Sequence, residues 1–255
     1  MTGTLRKLDP ILLEILNKKV SASADEMYFA LKRASRSIYV KEAADFATAI
    51  LDIDGLLFAH PPSATFNFLI DTNYIDTIRA VPDVESGDVI FTNDPYSSTG
   101  LSTHLPDLHL IRPYFHHGQI VAYGWCFVHC TDIGGAVPSS IAPSLNEIFQ
   151  EGLRVPPIKL VKKGVHNKDL FSLIMANNRT PDVNMGDIKA MLGSLETGAQ
   201  RVADIIERHG VAAFLACQKD LQDYTAIKAR DVFRRNPGGT CEFWDYMDDD
   251  MVSTI

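Results

Sequence analysis

The chain has 255 residues, 46% hydrophobic and 22% charged, which is enough core for one large domain or two small ones. Its formal net charge of −8 argues against a general nucleic-acid binder or an anionic-membrane binder. Four cysteines without a CxxC spacing read as reduced thiols of a cytoplasmic protein, MTGTLRKLDPILLEILNKK lacks the apolar stretch and cleavage site of a signal peptide, and no run of about 18 apolar residues offers a membrane span.

Asp9-Pro10 is a helix N-cap followed by proline at the first helical position. Ile11, Leu12, Ile15 and Leu16, then Met27, Tyr28, Leu31 and Ile38, predict one long or broken helix over 10–36. ATAILDIDGLLFAH places two apolar runs around Asp54-Gly55, a hairpin signal. Phe68, Ile70, Tyr74, Ile75 and Ile78 suggest a helix over 67–80. Val89-Ile90-Phe91 reads as a short buried strand stopped by Asn93-Asp94-Pro95. Residues 108–115 and 119–129 are β-rich and flank a turn at His116-His117-Gly118. The Gly/Pro/Ser-rich segment 132–147 is a long loop of the kind that is usually functional or disordered.

Helices return near 168–178, 185–208 and 211–234, with Gly210 as a cap between the last two. Pro237-Gly238-Gly239 opens a final strand over Thr240–Tyr246. The expected class is α+β, with a mixed sheet and hairpins in the first half and a helical second half. The expected segments are a helical 1–40, a mixed α/β 41–166 bearing the functional site, a helical 167–236, and the start of a further β-rich domain over 237–255.

Chemistry concentrates between Gly87 and Gly152. His104 and Asp107 stand three apart in a proline-turned loop, and His129 and Asp132 close the following strand. Two neutral imidazoles with a carboxylate suit Mn, Zn or Fe and leave coordination positions open; the alternative is ordinary loop polarity. Asp132 is a candidate to orient an imidazole, or equally the start of an Asx turn before Gly134-Gly135. Asn93 and Asp94 sit at a strand end where ligand groups collect, or form a plain turn. Gly134 and Gly135 would let backbone approach a ligand closely. Arg179 can grip a carboxylate or phosphate bidentately, or form a helix-end ion pair. His109, His116 and His117 read as surface or turn histidines, and Cys126 and Cys130 as buried thiols rather than zinc ligands. Glu147 and Glu151 can act as acid or base but are better read as capping or solvated groups. No GxxxxGK[ST] occurs, so no nucleotide site of the chain's own is expected.

GDVIFTNDPY, STHLPDLHLIRPYF, VHCTDIGG, EIFQEGLRVPPIKL and MANNRTPDVNMGDIKA, in that order, resemble the hydantoinase B / oxoprolinase / acetone carboxylase alpha-subunit family. The resemblance runs from about Arg36 to the end and covers only the N-terminal portion of members that are usually much longer. A short gene product, a processed subunit and a truncated chain all fit. In the acetone carboxylase branch a His-x-x-Asp pair and a downstream His hold a catalytic metal, which His104, Asp107 and His129 match in type and order. The resemblance further implies ATP on a hydantoinase A-like partner subunit, no biotin, and, in carboxylases, a small zinc-binding subunit.

Departures from the family pattern bear on substrate. A Glu-Arg-x-Asp-Phe-Ser block reads Glu42-Ala43-Ala44-Asp45-Phe46-Ala47 here, and a Pro-x-His-x-Gly block is replaced by PPSATFNFLI. Cys130 stands where many members have a second His, and Pro138-Ser139-Ser140 where Pro-Gly-Ser is usual. The lost Arg and His, with Phe66 and Phe68 nearby, lean toward a less polar substrate. The leading expectation is therefore a subunit of an ATP-dependent, biotin-independent ketone carboxylase with a metal-centred pocket, in which His129 and Asp132 serve catalysis. The alternatives are an ATP-dependent amidohydrolase subunit for a hydantoin, 5-oxoproline or a lactam, and a non-catalytic assembly subunit of such a complex.

Overall fold

The computed structural model describes residues 8–61, 72, 74–236 and 238–244. One compact unit extends through Leu221, and a second begins at Gln222. Helix α1 (Pro10–Ala34) starts where Asp9 accepts hydrogen bonds from the Ile11 and Leu12 N–H groups, with Pro10 at a position that needs no donor. Its buried stripe of Leu16, Val20, Ala24, Met27 and Leu31 recurs every three or four residues. The helix passes through Ser21–Ser23 unbroken, and the buried Ser23 hydroxyl is satisfied by donating to the Lys19 carbonyl at 2.8 Å. A single turn, α2 (Ile38–Lys41), follows and is capped by Ser37.

Strands β1 (Phe46–Leu51) and β2 (Leu57–Ala59) pair antiparallel across the loop containing Asp54-Gly55. That loop is organised by the Asp52 carboxylate, which accepts from the Asp54 and Leu56 N–H groups. Helix α3 (Tyr74–Arg79) is the described end of the helix expected over 67–80; residues 67–71 and 73 lie outside the described residues. Strand β3 (Val89–Thr92) precedes the long hairpin of β4 (Asp107–His116) and β5 (Gln119–His129). His117 and Gly118 turn this hairpin with φ of 47° and 80°, the left-handed pair that a two-residue turn requires.

A further hairpin, β6 (Ile158–Lys162) and β7 (Val165–His166), has no counterpart in the sequence reading. Its first strand, IKLVK, is only five residues with two lysines, and its second is two residues long, too short for a period-two pattern to stand out.

Among the described residues seven strands lie in the order β2-β1-β5-β4-β3-β6-β7. Every pairing among the described strands is antiparallel, and the sheet with hairpins ahead of a helical half is the expected α+β arrangement. The outermost strands are the two shortest, β2 with three residues and β7 with two.

Alternation divides the sheet into two faces. Phe46, Ile50, Ala122, Cys126 and Val128 join a core with Met27, Leu31, Met191 and Leu195 from the helices. Ala47, Ala49, Leu51, Tyr123, Trp125 and Phe127 pack instead with Tyr74 and Ile78 of α3.

The helical half comprises α4 (Lys168–Ala176), α5 (Pro181–His209) and α6 (Val211–Arg235). Helix α5 starts four residues earlier than expected, at Pro181, where proline again suits the first turn. Tyr114 passes between Gly124 of β5 and Gly198 of α5, and its hydroxyl donates to the Leu195 carbonyl at 3.0 Å. Thr240–Trp244 has no regular structure, contrary to the expected strand; a strand exists only by pairing, and no described strand pairs with it. Tyr246 lies outside the described residues. No helix among the described residues is long and apolar enough to cross a membrane.

Candidate metal centre

Asp107 opens β4, His129 ends β5, and the register makes them direct cross-strand partners. His104 is returned to the same point by the Leu105-Pro106 turn, in which the Asp107 N–H bonds the His104 carbonyl at 3.2 Å. Asp107 Oδ1 lies 3.0 Å from His104 Nε2 and 3.1 Å from His129 Nδ1. Its other oxygen accepts from the Thr103 hydroxyl at 3.0 Å. One donor atom from each of the three residues lies within 4.8 Å of the others. Ligands at bond lengths of about 2.1 Å that subtend 90–110° at one ion sit roughly 3.0–3.4 Å apart, and the two Asp107–imidazole spacings of 3.0 and 3.1 Å fall in that range. The donor chemistry fits too: two borderline nitrogens and a hard oxygen, with no thiolate in the group.

The three side chains line a cleft of about 490 Å³. Its remaining walls include Tyr39, Asp45, Phe127, Ser139 and Ile141. Asp45 immediately precedes β1, which pairs with β5, and its Oδ2 reaches 3.9 Å from His129 Nδ1. Tyr39, on α2, stands edge-on to the His129 ring with centroids 4.8 Å apart. Neither Asp45 nor Tyr39 was singled out from sequence. The available signal for Asp45 was its retention in the Glu42–Ala47 block, whose Arg and Ser positions are both alanine.

Burial pushes the Asp107 carboxyl up, but the hydrogen bonds from His104 and His129 outweigh it and hold the group well below the usual carboxylate range. Burial lowers His104, yet its bond to Asp107 raises it above the ordinary histidine value on balance. Asp45 is raised by burial and by the Asp107 charge, against the pull of His129. The cleft thus sets a carboxylate whose value is held low beside a second whose value is raised.

The structure places the other sequence-derived candidates elsewhere. Asp132 points into the following turn rather than at an imidazole. Its carboxylate takes a 2.7 Å ion pair from Arg179 and accepts from the Gly134, Ser139 and Arg179 N–H groups. Arg179 also donates to the Gly135 and Val137 carbonyls, so the ion-pair alternative describes it. Gly134 and Gly135 are crowded by the chain's own backbone, since an added Cβ would lie 2.4 Å from the Asn177 carbonyl or 2.7 Å from that of Gln150. Asn93 clasps three backbone groups, those of Leu105, Leu153 and Val155. Asp94 forms an Asx turn with Tyr96 and accepts from the Ser97 hydroxyl.

His116 and His117 do sit at the turn, but His109 is 2% exposed, which corrects its reading as a surface residue. It stacks on Trp125 and Phe127, accepts from the Trp125 indole at 3.3 Å, and is pushed down to about 4 by burial. Cys126 and Cys130 are buried thiols pushed up by burial and stand outside the donor group. Glu147 shares a capping box with Gln150, and Glu151 accepts from the Leu105 N–H.

Asp132 carries a pH prediction. Burial raises its carboxyl, but the Arg179 guanidinium and the turn N–H groups lower it further, so the folded value lies below the unfolded one. Stability from such a group is present above about pH 4 and is lost as pH falls through the folded value. Asp107 has the same sign. Thermal melts are expected to fall steeply below about pH 4, and Asp132→Asn to melt lower at neutral pH with a flatter acid limb. A variant that tracks the parent at every pH would dissociate the turn from this carboxylate.

Fold and cleft together define an α+β protein with a histidine–carboxylate centre at one end of an antiparallel sheet. The chain belongs to the Hydantoinase B/oxoprolinase family, whose model matches residues 9–255. It is 29% identical over 92% of its length to the beta subunit of the caprolactamase of Pseudomonas jessenii, and 30% identical over 96% to the B subunit of a putative D-/L-hydantoinase of a Pseudomonas species. It spans only 40% and 43% of those two relatives. The crystal structure of the ATP-dependent caprolactamase superimposes with a TM-score of 0.81 over 92% of this chain and 40% of that one. A nucleotide-free acetone carboxylase structure matches with a TM-score of 0.69 at 20% identity, over 82% of this chain and 28% of that one, and shows the fold alone.

Proposed function

We propose that this chain is the metal-bearing portion of a B-type subunit in an ATP-dependent enzyme that opens a cyclic amide. The convergence of His104, Asp107 and His129 beside Asp45 in one cleft carries the reading. The relatives at 29–30% identity, a caprolactamase and a putative hydantoinase, support amide over ketone. ATP is used on a hydantoinase A-like partner subunit, a reading supported by relatives whose names make them the beta or B subunit of an enzyme. Three buried free thiols suit a cytoplasmic setting, and no biotin is required.

His104, Asp107 and His129 would hold Zn, Mn or Fe. When bound, the ion supplies Lewis acidity and lowers the pKa of water. The chain's own groups do the rest. Thr103 fixes Asp107 so that one oxygen faces both imidazoles. Tyr39 fixes the plane of His129. Asp45, whose Oδ2 stands 3.9 Å from His129 Nδ1 in the cleft wall, takes a proton from attacking water and returns it to the departing amide nitrogen.

A ketone carboxylase, with a small zinc-binding subunit, is the second reading. The alanines at 43 and 47 and the missing His in PPSATFNFLI favour it. Phe66 and Phe68 of that segment lie outside the described residues. A non-catalytic assembly role is the third.

The test strips metal from the chain–partner complex by chelation and then restores Zn, Mn or Fe singly. Ring opening coupled to ADP release is expected to fall at least about 100-fold and to return with one of the metals. Undiminished turnover after complete removal rejects the centre. ADP release with a ketone and bicarbonate, but with no cyclic amide, transfers the reading to the carboxylase.

A further inference from the structure

The cleft beside the metal donors is one-sided in charge. Asp45 and Asp107 line it, and no lysine or arginine does among the described residues. Of the segments outside those residues, only 1–7 contains a cationic side chain. The nearby Arg179 is already engaged by Asp132 and two carbonyls. A divalent ion at the centre would be balanced by the two cleft carboxylates, leaving no positive charge over for a substrate carboxylate.

Two neutral hydroxyls in the lining, those of Tyr39 and Ser139, donate no hydrogen bond among the described residues. Ser139 holds its place with φ of 65°, and Ser140 follows at 63°, conformations unfavourable for any residue but glycine. The loop is pinned there by Asp132, which accepts from the Ser139 N–H at 3.1 Å, and by the Ser140 hydroxyl, which accepts from the Ile133 and Gly135 N–H groups. Strain retained at a cleft wall marks a group whose position is used. Phe127 and Ile141 add apolar wall.

We propose that this cleft selects an uncharged ring, holding its amide with the Tyr39 and Ser139 hydroxyls against Phe127 and Ile141, and rejects a ring that bears a carboxylate. The inference rests on the cyclic-amide reading above. It predicts 2-pyrrolidinone over 5-oxoproline, which share one lactam ring and differ by a carboxylate.

The experiment is initial-rate ADP release by the chain–partner complex over matched pairs. kcat/KM is expected to favour 2-pyrrolidinone over 5-oxoproline by about tenfold or more. A preference for 5-oxoproline overturns the inference. Acetone against pyruvate, each with bicarbonate, forms the second pair. Turnover confined to this pair removes the cyclic-amide reading but still decides the charge preference: acetone upholds it, pyruvate overturns it.

Ser139→Ala and Ser139→Gly are each expected to raise KM for the preferred substrate about fivefold with kcat nearly unchanged, while only the glycine variant, freed of the left-handed strain, melts higher. An unchanged KM in both variants overturns the part given to the hydroxyl.

Discussion

His129→Ala is expected to purify without bound metal and to melt well below the parent. The imidazole side chain is 7% exposed, and it and His104 share a single oxygen of Asp107. Alanine leaves two donors where three converged, too few for a stable mixed nitrogen/oxygen site. It also removes one of the two imidazoles that hold the buried Asp107 ionised. Losing a hydrogen bond to a buried carboxylate costs about 1.5–3 kcal/mol. Elemental analysis should show metal falling from about one ion per chain to below about a tenth of that. Calorimetry with and without added zinc separates the two effects, because only the parent gains stability from the ion. A variant that retains stoichiometric metal would remove His129 from the centre.

Gly124→Ala is the substitution expected to disturb packing most. A Cβ at this position would lie 1.9 Å from the Tyr114 hydroxyl and 3.1 Å from Leu195 Cδ2. Tyr114 cannot retreat, because on its other side a Cβ on Gly198 would come within 2.3 Å of the same hydroxyl. The ring must leave its slot, and its bond to the Leu195 carbonyl goes with it. Overpacking plus a lost buried hydrogen bond amounts to about 3 kcal/mol or more. For a domain of this size that is roughly a 6–12 °C fall in Tm. Tyr114→Ala combined with Gly124→Ala should destabilise by less than the sum of the single variants, since the clash needs both groups. A melt within about 1 °C of the parent would mean that the slot is not tight.

Features set by neighbouring residues were legible in the sequence. Asp9-Pro10 caps α1, His117-Gly118 turns the long hairpin, and Gly210 separates α5 from α6, because each is decided within a few residues. The His104–Asp107 spacing was legible for the same reason, and His129 followed because a strand had to end there. Asp132 shows the limit of nearness. It is three residues past His129, but the strand has ended and the chain has already turned toward Arg179. Asp45 shows the converse. It lies far from His129 in sequence, yet the pairing of Phe46 with Val128 brings it to the cleft. His109 looked like an ordinary polar residue because its burial depends on Phe127, its partner across the hairpin.

The brevity of β2 and β7 has a consequence for assembly. Together they expose few backbone donors and acceptors for another chain to extend. Lengthening this sheet therefore offers a partner protein little to grip, and recognition falls to side chains on the loops and helices. Orientation in the complex would then be set by shape and charge at those surfaces, which point substitutions can retune without touching the strands that hold the centre.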